Sequence, residues 1–176
     1  SGRCEEGTAF YRVYSGVVMT KRFLDLILAL VLAVLLSIPM LVIAALIKLM
    51  SKGPAIFWTE RVGINNIIFK MAKFRTMKID TPQLATHLMK TPQIYLAPIG
   101  QFLRGYSIDE IPQLFNIIKG EMSFVGPRPA LFNQDDLITL RTEKNIHTLI
   151  PGVTGWAQVN GRDDLPISIK VAFDEY

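Results

Sequence analysis

The chain has 176 residues, half of them hydrophobic, and a formal net charge of +4. That length fits one domain with its own core, and the small basic excess, gathered beside apolar sequence, suits an anionic membrane surface better than nucleic acid, for which no recognition helix is evident. The single cysteine, Cys4, excludes an internal disulfide and a cysteine-based zinc site; His87 and His147 lack ligand-like spacing, and no Walker A, G-x-G-x-x-G, G-x-S-x-G or H-E-x-x-H pattern is present.

Residues 1–20 carry little information and read as a leader, although Phe10, Tyr11 and Tyr14 beside Arg12 also fit a membrane interface. Lys21-Arg22 opens a run that reaches Met50. From Leu26 to Ile47 there is no charge over 22 residues, which as a straight helix is about 33 Å, enough to cross a bilayer. Pro39 interrupts the run by removing a backbone hydrogen bond, and Ser37 can bond a preceding carbonyl and ease a bend. Basic residues flank both ends, Lys21 and Arg22 before and Lys48 and Lys52 after. That symmetry favours a helix that enters, bends near Ser37/Pro39 and leaves on the same side over a kinked spanning helix. The domain reading is therefore a leader over 1–20, a re-entrant helix over 21–50 and a separate domain over 51–176.

Beyond Gly53-Pro54, Ala55 to Arg61 and Ile67 to Thr76 read as two strands of a hairpin around Gly63-Ile64-Asn65-Asn66. In the second strand Lys73 and Arg75 fall on one face, as a solvated edge or as a pair of anion-holding cations. A polar connector with little regular structure is expected from Lys78 to about Thr91, and Ile94 to Arg104 reads as an amphipathic lead-in.

That lead-in delivers the chain to Ser107-Ile108-Asp109-Glu110-Ile111-Pro112-Gln113-Leu114-Phe115-Asn116, two adjacent carboxylates at a helix start. Ser107 and Glu110 have capping-box spacing; alternatively Asp109 is the N-cap, with Pro112 at the third helical position. Gly120 is the expected stop. Taken alone, the acids are as well explained by helix capping as by chemistry. In Gly126-Pro127-Arg128-Pro129 two prolines hold a planar, permanently charged fork rigidly, as recognition of phosphate or carboxylate needs, the alternative being a Pro-rich turn with an exposed arginine. Residues 130–150 read as a helix ending before Pro151. Pro151 to Arg162 forms a Gly- and Pro-shaped loop with Trp156 as a ligand contact or interfacial anchor, and a last helical pattern runs to Tyr176. The fold class is α+β, a re-entrant membrane helix on a small helix-rich domain that contains a short β-hairpin.

From Lys21 to Tyr176 this combination resembles the bacterial sugar transferase family, the monotopic phosphoglycosyl transferases. The resemblance is carried by Lys21-Arg22-Phe23-Leu24-Asp25, the Ser/Pro-bent run, Lys73-Phe74-Arg75-Thr76-Met77, Ser107 to Asn116, Lys119 to Pro129 and Pro151 to Arg162. It implies that 51–176 is a cytoplasmic catalytic domain, and transfer of a phosphosugar from a UDP-sugar to polyprenol phosphate at the cytoplasmic face of a bacterial inner membrane, giving polyprenyl-diphosphate-sugar and UMP in glycan biosynthesis. By that resemblance Asp109 is the nucleophile of a covalent aspartyl intermediate, and Glu110 assists it and binds Mg²⁺. Lys73, Arg75 and Arg128 clamp phosphate, and Arg162 lies near the nucleotide. This sequence departs from the family pattern where Ile38 separates Ser37 from Pro39, and the family leads one to expect a further segment beyond Tyr176. A homo-oligomer is compatible with the sequence. The competing readings are a membrane-bound glycosyltransferase that releases UDP and a non-catalytic module that binds anionic lipid.

Overall fold

The computed structural model describes residues 2–78, 81, 95–161 and 165–175, with side chains from Val18 onward. Two helices lead: α1, Gly2–Leu35, and α2, Ser37–Met50, meet at Leu36 with a bend of 60°. Helix α1 therefore runs unbroken from the leader into the apolar segment. Pro39 is the third residue of α2, so its missing N–H falls one turn after Leu35, where the helix has already turned. The Ser37 hydroxyl donates to the carbonyl of Val34 at 2.7 Å, while Leu36 N–H still reaches Leu32 O and Met40 N–H reaches Leu36 O, each at 2.8 Å. Pro39 and Ser37 thus bend the run where the sequence placed the bend. Among the described residues no single helix is long and apolar enough to cross a membrane, while the bent pair passes that test jointly.

The inner faces of this pair carry the core. Ala29, Leu32 and Ala33 on α1, with Leu36 at the bend, recur at helical spacing and pack with Phe69, Met71, Leu114, Ile117 and Met122. Met40, Ile43, Ala44 and Ile47 do the same on α2 with Phe74 and Leu103. Ile111, between the two clusters, touches both. The outer faces leave Leu28, Val31, Val34, Leu35, Ile38, Leu41, Val42 and Leu49 exposed.

Strands β1, Ile56–Val62, and β2, Ile68–Phe74, form an antiparallel hairpin in register from Ile56 opposite Phe74 to Val62 opposite Ile68. Its turn places Asn65 and Asn66 in the left-handed region, with φ of 52° and 60°, which asparagine tolerates better than most residues. The second strand stops at Phe74, so Arg75 lies just past its end. The connector expected from Lys78 to Thr91 falls almost wholly outside the described residues. Its two ends are joined, because Met77 bridges Leu96 and Lys78 N–H donates to Tyr95 O at 2.8 Å.

Helix α3, Gly100–Gly105, leads into a 3₁₀ segment, Ile108–Gln113, and then α4, Leu114–Lys119. The expected capping box is not formed. Ser107 itself adopts a left-handed conformation, φ 55°, with no side-chain cap, and it is the backbone N–H of Glu110 that returns to Ser107 O at 3.2 Å. Asp109 likewise lies inside the 3₁₀ segment and does not cap it, and tight winding accommodates Pro112. Gly120, at φ 91°, ends α4 as expected.

Short strands β3, Ser123–Val125, and β4, Gly152–Thr154, pair in parallel, a pairing three residues long that no periodicity announces. They approach so closely that a Cβ on Gly152 would lie 2.1 Å from Gly126 N and one on Gly155 2.3 Å from Gly126 O. Between these strands the expected helix over 130–150 is cut to α5, Asp135–Glu143, because Asn145 turns left-handed at φ 60° and a 3₁₀ turn, Ile146–Thr148, follows. Helices α6, Trp156–Val159, and α7, Ile167–Glu175, close the described chain. Ala130, Leu137, Ile146 and Val171 make a separate small core beneath α5 and α7.

Candidate active site

The acidic pair sits where β2, the 3₁₀ segment and the Gly126–Pro129 loop converge. Phe69, Met71 and Lys73 share the inward face of β2, so Lys73 points into the protein and the solvated-edge reading is overturned. Its ammonium lies 2.7 Å from Glu110 Oε1, and Arg128 Nη2 lies 3.2 Å from the same oxygen. Three side chains that the sequence separates by up to 55 positions thus form one cluster, with Lys73 and Glu110 about 15% exposed.

Burial raises the pKa of Glu110, but Lys73 and Arg128 outweigh it and hold the carboxyl at about 2. Lys73 is lowered by its burial, partly countered by Glu110. Asp109 differs from its neighbour. It is 7% exposed, and burial raises its pKa; Lys73 opposes this, Glu110 adds to it, and Arg104 opposes it more weakly. Adjacent carboxylates are thereby set apart. Glu110 is a fixed anion committed to two cations, and Asp109 is a buried carboxylate held in reserve, the pattern expected of groups with different chemical duties.

Asn116 holds this arrangement from behind. Its side-chain oxygen accepts from Ala72 N–H at 3.0 Å and its amide donates to Lys70 O at 2.8 Å and to Glu121 Oε2 at 2.7 Å. The amide thus takes the place of a neighbouring strand at the free edge of β2 and sets α4 against the strand that carries Lys73. One turn of α1 adds a second brace. Arg22 donates to Ile117 O at 2.5 Å and to Ile118 O at 2.9 Å, at the end of α4. Asp25 accepts from the Ser123 hydroxyl at 2.7 Å, and Lys21 bonds both Asp25, at 3.2 Å, and Ser123. Arg22, Asp25, Ser123 and Asn116 were legible in the sequence only as motif members. The basic residues at the entry read as flanking charges, and only the placing of Asp25 four residues after Lys21 and three after Arg22 hints that they share a docking turn.

Of the other residues named from the sequence, Arg75 has its Nε buried with no hydrogen-bond partner among the described residues. Arg162 lies outside the described residues. Trp156 is half-exposed at the start of α6. No group of three or more His, Cys, Asp or Glu side chains that could hold a metal occurs among the described residues. Magnesium, however, is commonly held by one or two carboxylates together with substrate phosphates. Asp109 and Glu110 are adjacent carboxylates, a donor set that fits such a minimal site.

Residues 16–176 match the family model for bacterial sugar transferases. A sugar transferase of Bacillus subtilis, EpsL, is 38% identical over 156 residues, which cover 88% of this chain and 75% of that protein. The undecaprenyl-phosphate glucose phosphotransferase of Komagataeibacter xylinus is 39% identical, over 84% of this chain and 30% of its own. The UDP-glucose:undecaprenyl-phosphate glucose-1-phosphate transferase of Escherichia coli is 37% identical, over 81% and 31% respectively. The chain therefore spans less than a third of the length of these last two relatives. On the family match and on the Bacillus relative, the chain belongs to the bacterial sugar transferase family.

Proposed function

We propose that this chain transfers a phosphosugar from a UDP-sugar to polyprenol phosphate, with Asp109 as covalent nucleophile. The observation that carries the reading is the division of the acidic pair: Glu110 is locked between Lys73 and Arg128, while Asp109 beside it is buried and disfavoured as an anion. A desolvated carboxylate is a competent nucleophile toward phosphorus. Its oxygen bonds the phosphorus that bears the sugar, the bond from that phosphorus to the bridging diphosphate oxygen breaks, and UMP leaves. A polyprenol phosphate oxygen then attacks the same phosphorus, releasing Asp109 as carboxylate. Lys73, Arg128 and Arg75 hold phosphate oxygens throughout. Glu110 would be the residue that holds a Mg²⁺ ion, whose chemistry when bound would be to neutralise charge building on those oxygens.

Incubation with a panel of UDP-sugars, polyprenol phosphate and Mg²⁺ in detergent tests the reaction. UMP is the expected nucleotide. UDP in its place makes this a glycosyltransferase that moves sugar without its phosphate, and no nucleotide from any donor favours the lipid-binding module.

The bent α1–α2 pair is the membrane anchor in this reading, re-entrant from the cytoplasmic face. Its outer faces are apolar and exposed, and its inner faces pack directly under the acidic turn through Ile108 and Ile111. In this reading Asp109 lies at headgroup depth, where a polyprenol phosphate presents its anion. With Cys4 replaced, single cysteines at Thr20 and Ser51 should both resist an impermeant thiol reagent added outside intact cells and both react after lysis. Labelling of one but not the other in intact cells makes the pair a kinked span.

A further inference from the structure

The loop that carries Arg128 is unusually short of donors. Pro127 and Pro129 have no N–H, so the loop is anchored through its carbonyls, and three in succession accept a bond from elsewhere. Pro127 O accepts from Gly152 N–H at 2.9 Å, Arg128 O from Arg141 Nη1 at 2.7 Å and Pro129 O from Arg61 Nη1 at 3.2 Å. The middle bond fixes the peptide plane of Arg128 itself, and with it the direction in which the guanidinium leaves the backbone toward Glu110.

Arg141 is held for that task. Its Nε and Nη2 lie 3.0 and 2.6 Å from Asp174 Oδ2, and the two side chains are 9% and 1% exposed. Two arms of the fork are spent on Asp174 of α7, which leaves the third to aim at one carbonyl. Lysine, with a single nitrogen on a flexible stem, cannot hold both at once. Nor does stability explain such a pair, since a buried ion pair contributes no more than a well-packed apolar pair of similar volume.

We infer that Arg141 and Asp174 are positioning residues for the phosphate clamp: through the carbonyl of Arg128 they aim its guanidinium at the donor diphosphate, so that α7 sets the affinity of a site it does not touch. This rests on the proposed transfer reaction, in which Arg128 holds that diphosphate.

The test is a double-mutant cycle on the full chain, read as UDP affinity by calorimetry and as kcat/KM for UMP release, with thermal unfolding followed in parallel. Arg128→Ala, Arg141→Lys and Asp174→Asn should each weaken UDP binding and kcat/KM by roughly 10- to 100-fold, the scale of misplacing a binding group by about an ångström. In the Arg128→Ala background, Arg141→Lys or Asp174→Asn should add less than about twofold, because the group they aim is gone. Should Asp174→Asn unfold the chain, the gentler Arg141→Lys carries the cycle alone. Losses that multiply in full with Arg128→Ala would reduce the pair to structural support and overturn the proposal. So would wild-type UDP affinity in Arg141→Lys or in Arg128→Ala. Absence of UMP release from the wild type while UDP still binds would instead defeat the transfer reaction, and the affinity cycle would still decide whether the pair aims Arg128.

Discussion

Asp109→Asn is expected to abolish UMP release, by at least about four orders of magnitude as for other lost nucleophiles, without lowering the temperature of unfolding. The substitution keeps the shape of the side chain, so packing around Ile108 and Ile111 is undisturbed. Stability should hold for an electrostatic reason. Burial raises the pKa of Asp109 in the folded protein, so its ionised form costs folding free energy at every pH above that raised value, and the cost is relieved as pH falls through it. A neutral amide removes the cost at neutral pH. Nucleotide release and thermal unfolding measured on one preparation check both halves. A variant that keeps activity within about tenfold of wild type would take Asp109 out of the covalent role, whereas lost activity with a sharply lowered unfolding temperature would make Asp109 structural.

Replacement of Lys73 by methionine should do the reverse, damaging stability and activity together. Lys73 is the foremost pKa-lowering partner of both carboxylates. Without it Glu110 keeps Arg128, at 3.2 Å, but loses the closer cation at 2.7 Å. Breaking a buried pair by removing one partner costs roughly 3 to 5 kcal/mol, and the remaining arginine should hold the loss near the lower end. The pH dependence follows from the signs. Glu110 is depressed from 4.5 to about 2 in the folded protein, so its contribution is complete above about 4.5 and is lost as pH falls toward 2. That depression corresponds to about 3 kcal/mol, offset in part by the burial of Lys73, which lowers the lysine's own pKa. In Lys73→Met the acid-side loss should shrink. Asp109, already raised, should rise further, so the acid limb of the rate profile moves to higher pH. Unfolding followed from about pH 5 down to about pH 2 and rate profiles from about pH 5 to pH 9 measure this, and an acid limb that stays in place would mean that Lys73 does not govern the proton on Asp109.

Much of the framework was readable before any tertiary contact was known, because it depends on residues close together in the chain. The charge-free run with Ser37 and Pro39 specified a bent apolar pair, since a missing N–H acts within one turn. Asn65 and Asn66 specified the hairpin turn, since they tolerate left-handed backbone, and Gly120 specified the end of α4 for the same reason. The Asp109-Glu110 pair and the Pro-flanked Arg128 were conspicuous as residue types, and the family resemblance assigned them roles that their local sequence left open.

Other features were decided only when distant segments met. Period-two patterning put Lys73 on a face of β2, but whether that face looked inward depended on α4, docked by Asn116, and on Glu110 beneath it. The capping box failed because the tertiary position of the 3₁₀ segment required a left-handed Ser107, and a local hydrogen bond of about 1 kcal/mol does not outweigh the burial of Ile108 and Ile111. The three-residue β3–β4 pair is too short to show a period, and Arg141 finds Asp174 across 33 residues that contain no hint of the pairing. Local propensity and chemistry therefore determined the bent apolar run, the hairpin turn and the stop of α4, and marked the acidic pair and Arg128 as candidates. The separation of the two carboxylates into a fixed anion and a buried one came from tertiary structure alone, because desolvation and charge proximity depend on what surrounds a group and not on what precedes it in the chain.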